Sequence, residues 1–497
     1  MFFRRDAPHS TKGGHRRPSR GSATLAVLAR LAGVAMGILA AGFTGCQPSS
    51  GPPPSSTEPQ FQVDVAPVKP VPRAADSHQA ARAETVETPV DSRSATEDTP
   101  SALRSATLAA VERLVDDLPG TTEPMALLAL ARHRFGDHAA AAECWRRCLE
   151  LDAGFADAWH GLGSIALEQG KDEEAASHLR KAVEVRPEMP EVRIALADAL
   201  MNMGNMEEVI AVLEEDIQRF PREARSFFRL GQAHAQLGNN TQARQYLETA
   251  VRLAPETAYP YYALASVCLK LGDQEKAAHY RQEFARRKQT DRQVEHKRLK
   301  TFDDAQEVRR SATFFHLAAG NLYLRHRRPE RAEPYWQKAA ALDPHNQESR
   351  LQLAENYQLT NRPGKALEMF KELQAIEPDN AGYWVGAGQV QLQLGRHQDA
   401  EKSLREAVRI APERGLAYAA LAQFSLRTGR PPAEARALAQ TAVDKEPTAG
   451  NYALLAVTCQ QQNDLQAARE ALRRAVALEP QNAMLLGALQ RLEEGTK

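Results

Sequence analysis

The side chains able to do chemistry are few and scattered. Cys144 and Cys148 stand one helical turn apart, with His138 just upstream. Two thiols and an imidazole at that spacing are the raw material of a tetrahedral metal site. The remaining ligands would have to come from elsewhere in the chain, so buried packing is the simpler role for both cysteines. They are badly oriented to pair with each other, because both project from one helix. His133, Asp137 and His138 surround a turn and read as exposed polar residues. Cys268 and Cys459 fall at equivalent places in two helices, where core packing accounts for them. Including Cys46 there are five cysteines, none in a CxxC or CxxCH arrangement. That excludes a disulfide framework, a common zinc module and covalent haem. Phosphate-loop, zinc-protease, nucleophile-elbow and dinucleotide motifs are missing from any workable context. The expectation is a non-enzyme with no catalytic residue, metal, cofactor or small-molecule substrate.

Composition points the same way. In 497 residues, 63 Lys plus Arg balance 63 Asp plus Glu. A neutral chain lacks the basic field that nucleic-acid binding requires, so no nucleic-acid partner is expected. Aromatics at 6% and 29 dispersed prolines disfavour a β-sandwich. The excess of Ala, Leu, Arg, Glu and Gln favours helices.

The N-terminus reads as an address. Residues 1–30 carry Arg4, Arg5, Lys12, Arg16, Arg17, Arg20 and Arg30 against the single acid Asp6. An apolar run from Leu31 to Phe43 follows, too short and too Gly-rich for a comfortable spanning helix. A basic head, a short apolar segment and small residues compose a secretory signal peptide over 1–45. The run ends in Phe43-Thr44-Gly45-Cys46, which resembles the lipobox of bacterial lipoproteins. The resemblance implies that Cys46 is acylated and becomes the first mature residue, anchoring an exported protein in an envelope membrane. Phe43 departs from the usual Leu, and Gln47 is not the Asp that signals inner-membrane retention, which points to the periplasmic side of the outer membrane. The alternative is an uncleaved signal anchor with a chance cysteine. Residues 46–100 are rich in Pro, Ser, Thr, Glu and Ala, with almost no bulky apolar side chain. Such a segment cannot bury enough surface to offset the entropy of ordering it, so a disordered tether is expected.

The remaining chain is periodic. Segments 122–155, 156–189, 190–223, 224–257 and 258–291 align at thirty-four residues, as do 313–346, 347–380, 381–414, 415–448 and 449–482. The eighth place is always Gly or Ala: Ala129, Gly163, Ala197, Gly231, Ala265, Gly320, Ala354, Gly388, Ala422 and Ala456. The twentieth is Ala throughout except for Val209, and proline recurs near the end of eight units, from Pro187 to Pro480. Small residues let two helices approach closely, Gly or Asn at a central turn ends the first helix, and proline ends the second. Each unit is therefore a helical hairpin.

These columns resemble the tetratricopeptide repeat family. Leu162-Gly163, Gly170, Ala175, Ala182 and Pro187 fit its pattern within one unit. Ala153 and Cys148 depart from it in the first unit, and Pro431-Pro432 adds a residue in the ninth. The resemblance implies an all-α, right-handed superhelical solenoid of about ten helix-turn-helix repeats in two blocks of five. The expected plan is an N-terminal capping helix over 101–121, block one over 122–285, a charged helical elbow over 286–312, block two over 313–482 and a C-terminal capping helix and tail over 483–497.

In the family, the groove lined by first helices binds extended or helical peptides. Here the densest non-consensus patch is Phe228 and Gln232 with Tyr259, Tyr262 and Ser266, followed after the elbow by Phe314 and Asn321. Large aromatics in a groove are good partner anchors, although Phe228 and Tyr262 would equally serve to pack adjacent helices. The elbow carries Arg286, Arg287, Lys288, Arg292, Lys297, Arg298 and Lys300. It reads as a solvated connector, or as a basic docking site for an acidic partner or lipid head group if those side chains share a face. Asn321 matches one place of the family's carboxylate clamp, but Leu317 stands where its Lys should be, so chaperone-tail binding is not expected. The resulting expectation is a lipid-anchored scaffold that binds protein or peptide partners in an envelope complex, as in pilus biogenesis, outer-membrane assembly or polysaccharide export. The alternative is an accessory subunit that holds an enzyme or its substrate.

Overall fold

The structure, a computed structural model, describes residues 99–494 except 190 and 301–303, with the backbone alone for 293–300. The expected signal peptide, Cys46 and nearly all of the tether lie outside the described residues.

The described residues form helices and turns without a strand. Helix α1 covers Pro100–Asp117. Block one contains five hairpins: α2 (Thr122–Arg134) with α3 (His138–Leu151), α4 (Ala156–Glu168) with α5 (Asp172–Val185), α6 (Val192–Asn202) with α7 (Met206–Arg219), α8 (Ala224–Gln236) with α9 (Asn240–Leu253), and α10 (Ala258–Lys270) with α11 (Gln274–Lys300). Block two contains α12 (Asp304–Arg325) with α13 (Pro329–Leu342), α14 (Gln347–Leu359) with α15 (Pro363–Ile376), and α16 (Ala381–Gln393) with α17 (His397–Ile410). It continues with α18 (Gly415–Arg427) and α19 (Pro432–Lys445), then α20 (Ala449–Gln461) and α21 (Leu465–Leu478), and ends at α22 (Ala483–Glu494).

The small-residue column works by contact. A Cβ added at Gly163 would lie 2.6 Å from Leu179 Cγ, and one at Gly320 would lie 2.4 Å from Trp336 Nε1. The eighth place must be small because the twenty-fourth is large and sits directly against it. At the sixth turn the left-handed residue is Arg327, with φ 59°. A side chain there costs about 1–2 kcal/mol relative to glycine, offset by the hairpin around it.

The sixth unit does not stack on the fifth. Helix α12 packs on α1 and α2, with no comparable packing against α11 among the described residues. One apolar core runs from Val111 and Leu114 of α1 through Trp145 to Phe315, Tyr323 and Trp336, and on to Val390. Polar ties reinforce this junction. Tyr323 donates to Asp117 at 2.6 Å, Tyr335 donates to the Ala110 carbonyl at 3.0 Å, and Arg104 pairs with Asp304 at 3.0 Å. Helix α1 stands as the second helix of a unit would, and its surface seats the opening helices of both blocks, α2 and α12. The blocks therefore meet at their N-terminal ends.

The segment 286–312 divides accordingly. Residues 286–300 prolong α11, whose 27 residues span about 40 Å at 1.5 Å per residue. That length carries the chain from the fifth unit back to α1. Residues 304–312 are extra turns at the start of α12, where Val308 and Ala312 pack with Leu103. At the other end, Leu492 of α22 is buried in a cluster with Leu472 and Cys459, covering the last hairpin.

Candidate partner-binding surface

At the far end of block one, α10 presents an alternating set of tyrosines. Tyr261 points inward, 5% exposed, and its hydroxyl donates to the Pro255 carbonyl at 3.0 Å. Tyr259 and Tyr262 flank it and point outward, 56% and 57% exposed. The helical turn explains the split, because adjacent positions sit about 100° apart and only one can point into the core of the hairpin. Tyr262 leans on Phe284 with ring centroids 5.4 Å apart. Lys288 lies 4.7 Å from the centroid of the Tyr259 ring and donates to its hydroxyl at 3.1 Å. Lys288 of α11 and the aromatic patch of α10 are thus one surface. Ser266, one turn further along α10, is exposed beside it.

The other predicted residues divide between surface and scaffold. Arg287 is mostly buried, its guanidinium 3.8 Å from the Tyr261 ring centroid and paired with Glu283. The Arg287 bond, with Arg286 also nearby, holds the Glu283 carboxyl below the usual range. Arg286 and Arg292 are exposed, while Lys297, Arg298 and Lys300 have no described side chains. Phe228 is half-buried against Leu247, Leu264 and Val267. Gln232 accepts from Arg229 at 2.9 Å, and Arg229 in turn pairs with Asp198 at 2.7 Å. Phe228 therefore supports α10 from α8, while Gln232 is tied through Arg229 towards α6. Phe314 and Asn321 lie on α12 at the junction and do not extend this surface. Phe314 packs edge-on against Phe315, at 5.2 Å between centroids. Asn321 accepts from Trp336 Nε1 at 3.0 Å, so it holds the core of its own hairpin.

One groove-side group was not legible in the sequence. Glu355 occupies the ninth place of the seventh unit, and burial together with Glu348 pushes its carboxyl up to about 7. A perturbed carboxyl in a concave array is a recognised signature of functional surfaces. Its spacing carries no hint, because the shift comes from what covers it.

Three tetratricopeptide repeat models match the sequence: one at residues 166–227, 323–389 and 360–424, a second at 126–190 and 228–291, and a third at 449–482. The chain belongs to the tetratricopeptide repeat family. The family fold is typically a non-catalytic protein-interaction scaffold, and its members bind protein partners. No curated protein matches this chain in sequence. Solved structures similar to this tetratricopeptide repeat protein include MamA from Desulfovibrio magneticus RS-1, at 16% identity, 34% of this chain, 96% of that one and a TM-score of 0.33. TTC0263, a thermophilic protein of the same repeat class in Thermus thermophilus, is 19% identical over 36% of this chain and 98% of its own, with a TM-score of 0.33. The Cut9-Hcn1 hetero-tetramer of the APC/C aligns over 79% of this chain and 93% of its own at 14% identity and a TM-score of 0.33. At these scores none of them carries an argument about partner or pathway.

Proposed function

We propose that this tetratricopeptide repeat protein is a lipid-anchored scaffold facing the extracytoplasmic envelope. It captures a partner protein on α10 and the adjoining part of α11 to assemble or stabilise an envelope complex. The observation that carries this reading is the pair of aromatic rings Tyr259 and Tyr262, each more than half exposed on one helix beside Lys288. Tyrosine supplies large contact area at low entropic cost, and aromatic anchors dominate the energetics of protein interfaces. Lys288 adds a cation that suits an acidic group flanking the partner's apolar anchor. The anchor at Cys46 rests on the lipobox resemblance and on the length of the Pro/Ser-rich segment behind it.

Affinity capture from detergent-solubilised envelope of the source cell tests the reading. The full chain and its Tyr259→Ala/Tyr262→Ala variant serve as baits. A discrete set of proteins lost from the variant supports a scaffold acting at this patch, and the same set on both baits moves the site elsewhere. The anchor has a separate test. Metabolic labelling with a fatty acid should mark the wild-type chain and not Cys46→Ser, and a Cys46→Ser chain that stays membrane-bound in high salt would favour a signal anchor.

A further inference from the structure

Near the first turn of block one, three side chains converge that sequence spacing keeps apart. His133 lies at the end of α2, His138 opens α3, and Glu168 closes α4 in the next hairpin. Gly136 makes the tight turn between the histidines, with φ 89°, and Asp137 caps α3 by accepting from the Ala140 amide at 3.1 Å. The two imidazoles meet edge-on, centroids 5.1 Å apart. Glu168 Oε2 lies 2.9 Å from His133 Nε2 and 3.3 Å from His138 Nδ1. One ligand atom from each residue falls within 4.8 Å of the others.

We propose that His133, His138 and Glu168 form a binding site for a divalent transition-metal ion, of the zinc or cobalt kind. Ligands about 2.0–2.1 Å from a tetrahedral zinc are roughly 3.3–3.4 Å apart, close to the two N···O separations found here. His138 Nδ1 is shielded from solvent yet makes no aligned hydrogen bond. A metal between the three groups would bind the neutral imidazoles through their lone pairs, taking the place of any proton held between His138 Nδ1 and Glu168 and releasing it to solvent. Two imidazoles and a carboxylate suit zinc, cobalt, nickel or copper better than magnesium or calcium. The fourth position is left to water or to a donor from a partner, and His138 and Glu168 are partly exposed, so entry is open. Cys144 and Cys148 are not in the set. Both are buried in the core of the hairpin, and burial, then the neighbouring Cys144, pushes the Cys148 thiol up to about 12. The Cys144, Cys148 and His138 grouping weighed from the sequence is therefore replaced by one that draws its carboxylate from the next unit. The ion would cross-link the first two hairpins at their turns.

The test uses the untagged full-length chain, stripped with a chelator and titrated with Zn²⁺ by calorimetry and with Co²⁺ by visible absorption. Circular dichroism checks that each variant is folded. One equivalent should bind, and zinc should raise the melting temperature of the wild type by mass action. Losing a ligand in His138→Ala should weaken binding roughly 100-fold or more, and Glu168→Gln at least about 10-fold. The Co²⁺ spectrum should lose its visible bands in His133→Ala/His138→Ala. Unchanged zinc affinity in folded His138→Ala, or no binding to the wild type at millimolar metal, would overturn the proposal.

Discussion

The junction of the two blocks and the far end of block one treat the same repeat places in opposite ways. At the junction, the opening helix α12 is covered on the side that faces α1 and α2. Phe315 packs on Phe135 with centroids 5.8 Å apart, and Tyr323 is 1% exposed with its hydroxyl on Asp117. At the far end, α10 has no following hairpin stacked on it, because the chain leaves along α11 to begin again at α1. Tyr259 and Phe314 both occupy the second place of their units, yet Tyr259 is 56% exposed and Phe314 37%, its ring lying edge-on against the buried Phe315. The lesson concerns solenoids in general. A repeat presents a stacking face at each end, and whichever end goes uncovered becomes the surface available to a partner.

The largest effect is expected at Trp336, which is fully buried. Trp336→Ala should cost about 3–5 kcal/mol in urea unfolding, and a loss below about 1 kcal/mol would mean that the junction is not the stable half. Acid should act next. His316 is buried between α1 and α13, both ring nitrogens lack a partner, and the Tyr335 ring lies 5.9 Å away. Burial, with Lys338 and Arg113 opposing a positive charge, lowers it to about 4. The unfolded chain binds that proton near pH 6.5, so this contribution is complete above about 6.5 and is lost as pH falls towards 4. The loss should amount to roughly 2–3 kcal/mol across that window. It should be flattened in His316→Leu, as chemical denaturation at stepped pH would show. Asp117→Ala comes third. It removes the carboxylate acceptor of the Tyr323 hydroxyl and the partner of Arg331, for about 1–3 kcal/mol. The same unfolding assay applied to Tyr259→Ala/Tyr262→Ala should register no more than about 0.5 kcal/mol. A larger loss there would show that the tyrosines are part of the core rather than a free surface.

Much of this architecture was legible in the chain. The period of thirty-four, the Gly or Ala at the eighth place and the turn glycines such as Gly136 report contacts inside one hairpin. Those contacts link residues close in sequence, so they leave a regular trace. The aromatic patch on α10 was legible in part. Tyr259 and Tyr262 are exposed, while Phe228 packs under α10, Gln232 accepts from Arg229 and Asn321 accepts from Trp336. Place numbers mark the side of a helix, and what lies against that side depends on the neighbouring unit.

The hairpins and their turns were readable from residue order alone, because each is enforced by local sterics within thirty-four residues. That the sixth unit stacks on α1 instead of the fifth, that Lys288 folds onto Tyr259, and that Glu168 joins His133 and His138 emerged from long-range packing. Repeat ends are nearly interchangeable apolar faces. Local pattern cannot choose between equivalent stacking surfaces, whereas the fit of α12 to α1, with its buried core and the Asp117 and Arg104 ties, can.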